Sequence, residues 1–145
     1  MATQVTAIDR TVQETEAWLK EIAHAMGTED RQVAYHALRG TLFTVRDRLE
    51  PGETVDLSAQ LPLLVRGIFY EGYHYGGKPE NYRSRDEFLS RVGKDFEKLD
   101  YDDPETAARA VFTVLGRHIS DGEIRKVQHM LPDDVRELWP EESVH

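Results

Sequence analysis

The sequence predicts an all-α fold: one domain over residues 1–145, a bundle of about eight helices made of two tandem pseudo-symmetric repeats. Three observations predict it. Apolar residues recur at three- and four-residue steps, as in Leu38, Leu42, Val45 and Leu49, which is the period of one buried helical face. No stretch alternates apolar and polar residues as a half-buried strand does; Gln4-Val5-Thr6-Ala7-Ile8 comes closest, and it reads as a frayed, solvated terminus. The third observation is that the chain matches itself at an offset of 70 residues without a gap.

That offset aligns Leu61-Pro62 with Leu131-Pro132, Gly52-Glu53 with Gly122-Glu123, and Val65-Arg66 with Val135-Arg136. Conservative pairs follow, among them Trp18 with Phe88, Ile22 with Val92, Leu42 with Phe112, Val45 with Leu115, Leu57 with Val127 and Phe69 with Trp139. These pairs are mostly apolar and helically spaced, so the register that repeats is that of a buried face. Repeat one spans about 11–69, a linker 70–83, repeat two about 84–139, and an acidic tail 140–145.

The first helix of repeat one is expected to open on the capping box Thr11-Val12-Gln13-Glu14, to bury Trp18, Leu19, Ile22 and Met26, and to end at Gly27-Thr28. Its counterpart opens on Ser84-Arg85-Asp86-Glu87 and carries Phe88, Leu89, Val92 and Phe96. The second helix runs from Glu29 to Leu49; in repeat two Asp103 caps it and Pro104 takes the first helical position, where a missing N–H costs nothing. A short third helix runs from Glu53 to Gln60, matched by one that Ser120-Asp121-Gly122-Glu123 caps. Pro62 and Pro132 then break the chain and start Leu63–Tyr70 and Asp133–Trp139.

A chain of 145 residues buries roughly 70% of its unfolded surface and needs no covalent staple. It has no cysteine, which removes disulfides and thiolate chemistry and fits a reducing, cytoplasmic setting. No apolar run approaches the roughly 18 residues of a membrane span, and no secretory leader opens the chain, so no membrane association is expected. The net charge of −9 argues against nucleic acid, whose phosphates call for a basic field. Arg83, Arg85, Arg91, Lys94 and Lys98 cluster, but Glu80, Asp86, Glu87, Asp95 and Glu97 lie among them, as on a solvated face.

In order along the chain stand Asp30-Arg31, Ala37-Leu38-Arg39, Leu42, Arg46-Asp47-Arg48-Leu49, Asp56-Leu57, Gln60-Leu61-Pro62, Val65-Arg66-Gly67 and Tyr70-Glu71-Gly72. Arg83-Ser84-Arg85, Glu87-Phe88-Leu89, Arg117-His118-Ile119-Ser120, Gly122-Glu123, Leu131-Pro132 and Leu138-Trp139-Pro140 follow. This pattern resembles the bacterial "domain of unknown function 2267" family over roughly residues 8–140. The resemblance implies an all-helical, duplicated, bacterial protein, and it carries over no activity and no catalytic or ligand residues.

The candidate binding residues are Tyr70, Tyr73, His74 and Tyr75 of the linker, where tyrosines beside flexible glycines offer flat area and hydroxyls at low entropic cost. The competing reading is a connector pinned by its aromatics. No catalytic residue, metal site or cofactor is assigned. The six histidines form no His-x-x-x-His pair, and Glu71-x-x-His74 has no partner copy. His118 reads as a boundary or core residue. Gly76-Gly77-Lys78 lacks the rest of a phosphate loop. Arg66, Arg136, Glu53 and Glu123 occur at matched positions, which points to structural duties done twice, the two glutamates at capping-box positions. The leading functional reading is a non-enzymatic interaction module that binds another protein or itself. The alternative is a small-ligand binder or enzyme with a pocket between the repeats, drawing on Tyr35, His36, His118 or the linker tyrosines.

Overall fold

The computed structural model describes residues 3–141, so all of the expected tail except Pro140 and Glu141 lies outside the described residues. Eight helices follow in order: α1 (Thr6–Met26), α2 (Arg31–Arg48), α3 (Pro51–Ser58), α4 (Leu63–Tyr70), α5 (Arg85–Lys94), α6 (Pro104–His118), α7 (Asp121–Met130) and α8 (Asp133–Arg136). Among the described residues there is no strand, and no helix is long and apolar enough to cross a membrane.

Local chemistry sets most boundaries. Asp30 accepts from the N–H groups of Gln32 and Val33, Ser84 from that of Glu87, Asp103 from that of Thr106 and Ser120 from that of Glu123. Each bond satisfies a donor that the first turn of a helix leaves free. Gly27 ends α1 at φ 74°, left-handed backbone that a side chain would strain. Arg66 of α4 reaches back to the Ser58 and Leu61 carbonyls after α3, and Arg136 of α8 does the same to Gln128 and His129 at the end of α7.

Several boundaries differ from expectation. α1 starts at Thr6 rather than Thr11, with Val5 as its extended cap residue and no side-chain cap. Thr6 to Ile8, expected to fray, are therefore helical; the Thr3 hydroxyl accepts from the Val5 N–H, and Asp9 accepts from the Thr3 N–H at 2.8 Å. Thr11 faces inward and serves another helix, as described below. α3 begins at Pro51, whose fixed φ suits a first helical position, and ends at Ser58 rather than Gln60. α8 is shorter than expected, because its chain continues in tighter turns in which Leu138 and Trp139 donate to Val135 and Arg136.

α2 and α6 pack together at the centre of the bundle. α1 lies on both of them, and so does α5. α1 and α5 thus each bridge α2 and α6. α4 closes against α1 and α2, α8 against α5, and α3 against α7. The core holds Trp18, Ile22, Leu38, Leu42, Val45, Phe69, Val111 and Leu115, all buried. An aromatic column runs from Tyr82 through Phe88 to Phe112, which stacks on Trp139 with centroids 4.0 Å apart. Gly40 lets α2 meet the end of α5: a Cβ there would stand 2.9 Å from Asp95 Cβ and 3.0 Å from the Val92 carbonyl.

Candidate functional site

The linker is a strap fastened by buried charge. Arg46 on α2 is buried, donates to the Phe69 carbonyl at 2.9 Å and the Glu71 carbonyl at 2.8 Å, and pairs with Asp47. Its guanidinium covers the rings of Phe43 and Tyr73. Lys78 pairs with Glu80, stands 4.0 Å from Asp47 and lies 6.0 Å from the centre of the Tyr73 ring. Glu80 donates its N–H to the Asp47 carbonyl and takes a close ion pair from Arg91. Burial works to raise the Glu80 pKa, but the bonds from Arg91 and Lys78 prevail and hold it below the usual range. Tyr82 ends the strap inside the core, donating to the Thr44 carbonyl at 2.8 Å; burial pushes its hydroxyl well above the ordinary phenol range.

The four candidate linker residues therefore divide. Tyr70 is half-buried and donates to the Ser58 hydroxyl at 2.8 Å. Tyr73 is half-buried under Arg46, with its hydroxyl enclosed and unpartnered. His74 is exposed and Tyr75 stands 75% exposed at the tip. The structure brings Tyr70 and Tyr73 together, with centroids 6.1 Å apart.

Beside the strap, α4 presents an apolar outer face. Leu63 and Leu64 are 57% and 42% exposed. Leu64, Gly67, Ile68, Tyr70 and Glu71 line an open groove of about 380 Å³ with Tyr35 of α2. The Leu64 N–H donates to Thr11 Oγ1 at 2.8 Å, which sets this face alongside the first turns of α1. There Val5, Ile8 and Val12 are exposed at helical spacing. Their period is that of a buried face, and what sets Leu63 and Leu64 apart in the sequence is only that the positions 70 residues later hold Asp133 and Asp134.

A polar cleft of about 310 Å³ lies between α2 and the end of α5, lined by His36, Arg39, Lys94, Asp95, Glu97, Lys98 and Leu99. Asp95 accepts from His36 Nδ1 at 2.7 Å and stands 3.4 Å from Arg39 Nε, while Arg39 also approaches Glu71. His36 and Tyr35 are thus near clefts, in separate ones. His118 is at the surface: its ring stacks on Trp18 at 4.9 Å and Nε2 meets Glu21 at 3.0 Å. Among the described residues no three His, Asp or Glu side chains converge as metal ligands.

Glu53 and Glu123 depart from the expected capping geometry. The Ser120 N–H that Glu123 would take in a capping box is bonded to Gln60 Oε1 at 2.8 Å, and Gln60 Nε2 returns to the Ser120 hydroxyl. Both glutamates turn inward where α3 packs on α7, at 8% and 6% exposure, each with an Oε2 that no donor reaches. Burial first, then a hydrogen bond with Glu53 and the Glu53 charge, pushes Glu123 up to about 7.

A family model described as "Uncharacterized conserved protein (DUF2267)" matches residues 15–138. No curated protein matches the chain.

Proposed function

The chain belongs to this family of uncharacterized conserved proteins, and from its surface we propose that it is a non-enzymatic helical interaction module that binds another protein or a second copy of itself. The docking face is that of α4 and the first turns of α1. One observation carries the reading. Leu63 and Leu64 are 57% and 42% exposed, while the residues 70 positions later are Asp133 and Asp134, with the Asp133 side chain 94% exposed. A solvent-facing pair needs no leucine, and contiguous apolar surface of this kind marks interaction sites. Val55 makes the same contrast with Arg125, both exposed.

The proposal includes two tandem pseudo-symmetric repeats. The paired duties of Arg66 and Arg136 support it, as does the matched way in which α1 and α5 each bridge α2 and α6. The cysteine-free composition supports a cytoplasmic setting, and the net charge of −9 supports a protein rather than a nucleic-acid partner. The test places a photo-crosslinker at position 63 and, as control, at position 133, with sedimentation velocity on the purified chain. A species crosslinked from position 63, absent from position 133 and weakened by Leu64→Asp, is expected, together with a dimer or complex in sedimentation that Leu63→Asp/Leu64→Asp removes. Equal crosslinking from both positions, or a complex that the double variant leaves intact, would overturn the reading.

A second reading rests on the cleft between α2 and α5. The His36–Asp95 pair at 2.7 Å, with Arg39, Lys94 and Lys98 around it, offers a proton-transfer group beside cations. An anionic adduct in native mass spectra that Arg39→Ala removes would favour it over the docking face.

A further inference from the structure

Glu53 and Glu123 sit at the same place in their helices, the third residue of α3 and of α7, and meet where those helices pack. The groups around them do little to neutralise two charges. Asp56 of α3 adds a further negative charge, and Lys126 of α7, which acts on Glu123, is at the exposed surface. From α6, which also packs on α7, Arg117 and His118 are engaged with Glu21 of α1. Beside the pair, the reciprocal Gln60–Ser120 bonds hold the seam shut. Two carboxylates cannot both ionise in a buried site that they share without a cation.

We propose that Glu53 and Glu123 hold a single proton between them, and that this proton is a latch that keeps α3 closed on α7. Its loss sets two buried like charges against each other, and the seam opens to admit water. α3 carries exposed Val55 and leads through Leu61-Pro62 into Leu63 and Leu64, so opening frees the base of the α4 face.

The pH range follows from the shift. Glu123 is raised from 4.5 to about 7 in the folded chain, so the folded state holds this proton more tightly than the unfolded one. The stabilisation is full below the ordinary glutamate value and is lost as pH rises through about 7.

Hydrogen exchange read by mass spectrometry between about pH 5.5 and pH 8.5, corrected for intrinsic base catalysis, tests the latch. Amides of α3 and α7 are expected to gain an excess opening that approaches tenfold per pH unit below about pH 7 and levels off above it, as release of one proton on opening requires. Amides of α6 should show no such excess. Glu123→Gln should flatten the excess, and Glu53→Gln provides the same test from the other side of the seam. An unchanged slope in both variants, or no excess in the unmodified protein, would overturn the proposal. So would retention of one divalent cation at high pH, with α3 and α7 kept protected by added calcium, magnesium or manganese, since the pair would then be a cation site.

Discussion

Thr11 of α1 accepts a free first-turn N–H of another helix: Leu64 of α4 donates to its Oγ1 at 2.8 Å. Pro62 precedes α4 and offers no side-chain cap, so α1 supplies one across space. Thr11→Val keeps the shape and removes the acceptor. It is expected to cost about 1 kcal/mol in urea unfolding, whereas Thr11→Ser should cost less because it keeps the oxygen.

Arg46 is the fastening of the strap. Its side chain and its bond to the Phe69 carbonyl are buried, and its bonds to the Glu71 carbonyl and Asp47 are partly so. Arg46→Leu leaves the two carbonyls without this donor and Asp47 with only Lys78 at 4.0 Å, with an expected loss of roughly 2 kcal/mol. Arg46→Lys should recover little, since one ammonium cannot reproduce the planar fork. Exchange of amides over residues 71–78 should rise in both, while α6 stays protected.

At Gly40 the limit is space. A methyl group would meet Asp95 Cβ at 2.9 Å, so Gly40→Ala should push α5 from α2 and cost about 1–3 kcal/mol despite the better helix propensity of alanine. Asp95 would shift from His36 and Arg39 at the same time, and the His36 ring resonances in NMR spectra should move with it.

Asp103 makes an acid-side prediction. Hydrogen bonds from the Thr106 side chain and then its backbone N–H lower the Asp103 pKa in the folded chain. A depressed carboxylate contributes stability above its unfolded pKa and loses it as pH falls through the folded value. Asp103→Asn should cap α6 nearly as well at neutral pH and remove this share of the acid dependence, while Asp103→Ala should cost about 1 kcal/mol at neutral pH. Thermal melts of both variants between neutral and acidic pH read the difference.

Helix positions were legible where the signal is local. Ser84, Asp103 and Ser120 act as the caps their spacing predicts, and Pro62 and Pro132 immediately precede the helices they were expected to start. Thr11 misled because a hydroxyl three residues before a carboxylate reads the same at a helix start and inside a helix. Glu53 and Glu123 have good capping spacing, yet only the packing of α3 on α7 shows that they face each other. Arg46 and Tyr82 gave no sequence signal for their roles, since their partners lie 23 to 38 residues away. The α4 face has the period of a core face, and only the contrast of Leu63 and Leu64 with Asp133 and Asp134 sets it apart in the sequence.

The bridging of α2 and α6 by both α1 and α5 bears on synthesis at the ribosome. When the chain has emerged only through Tyr70, α1 and α2 have each other, but the faces that meet α6 and α5 are bare. Folding of these helices is therefore expected to complete only once α5 and α6 have followed. For the same reason a chain cut within the strap should yield two fragments that are poorly folded apart and reconstitute one bundle when mixed.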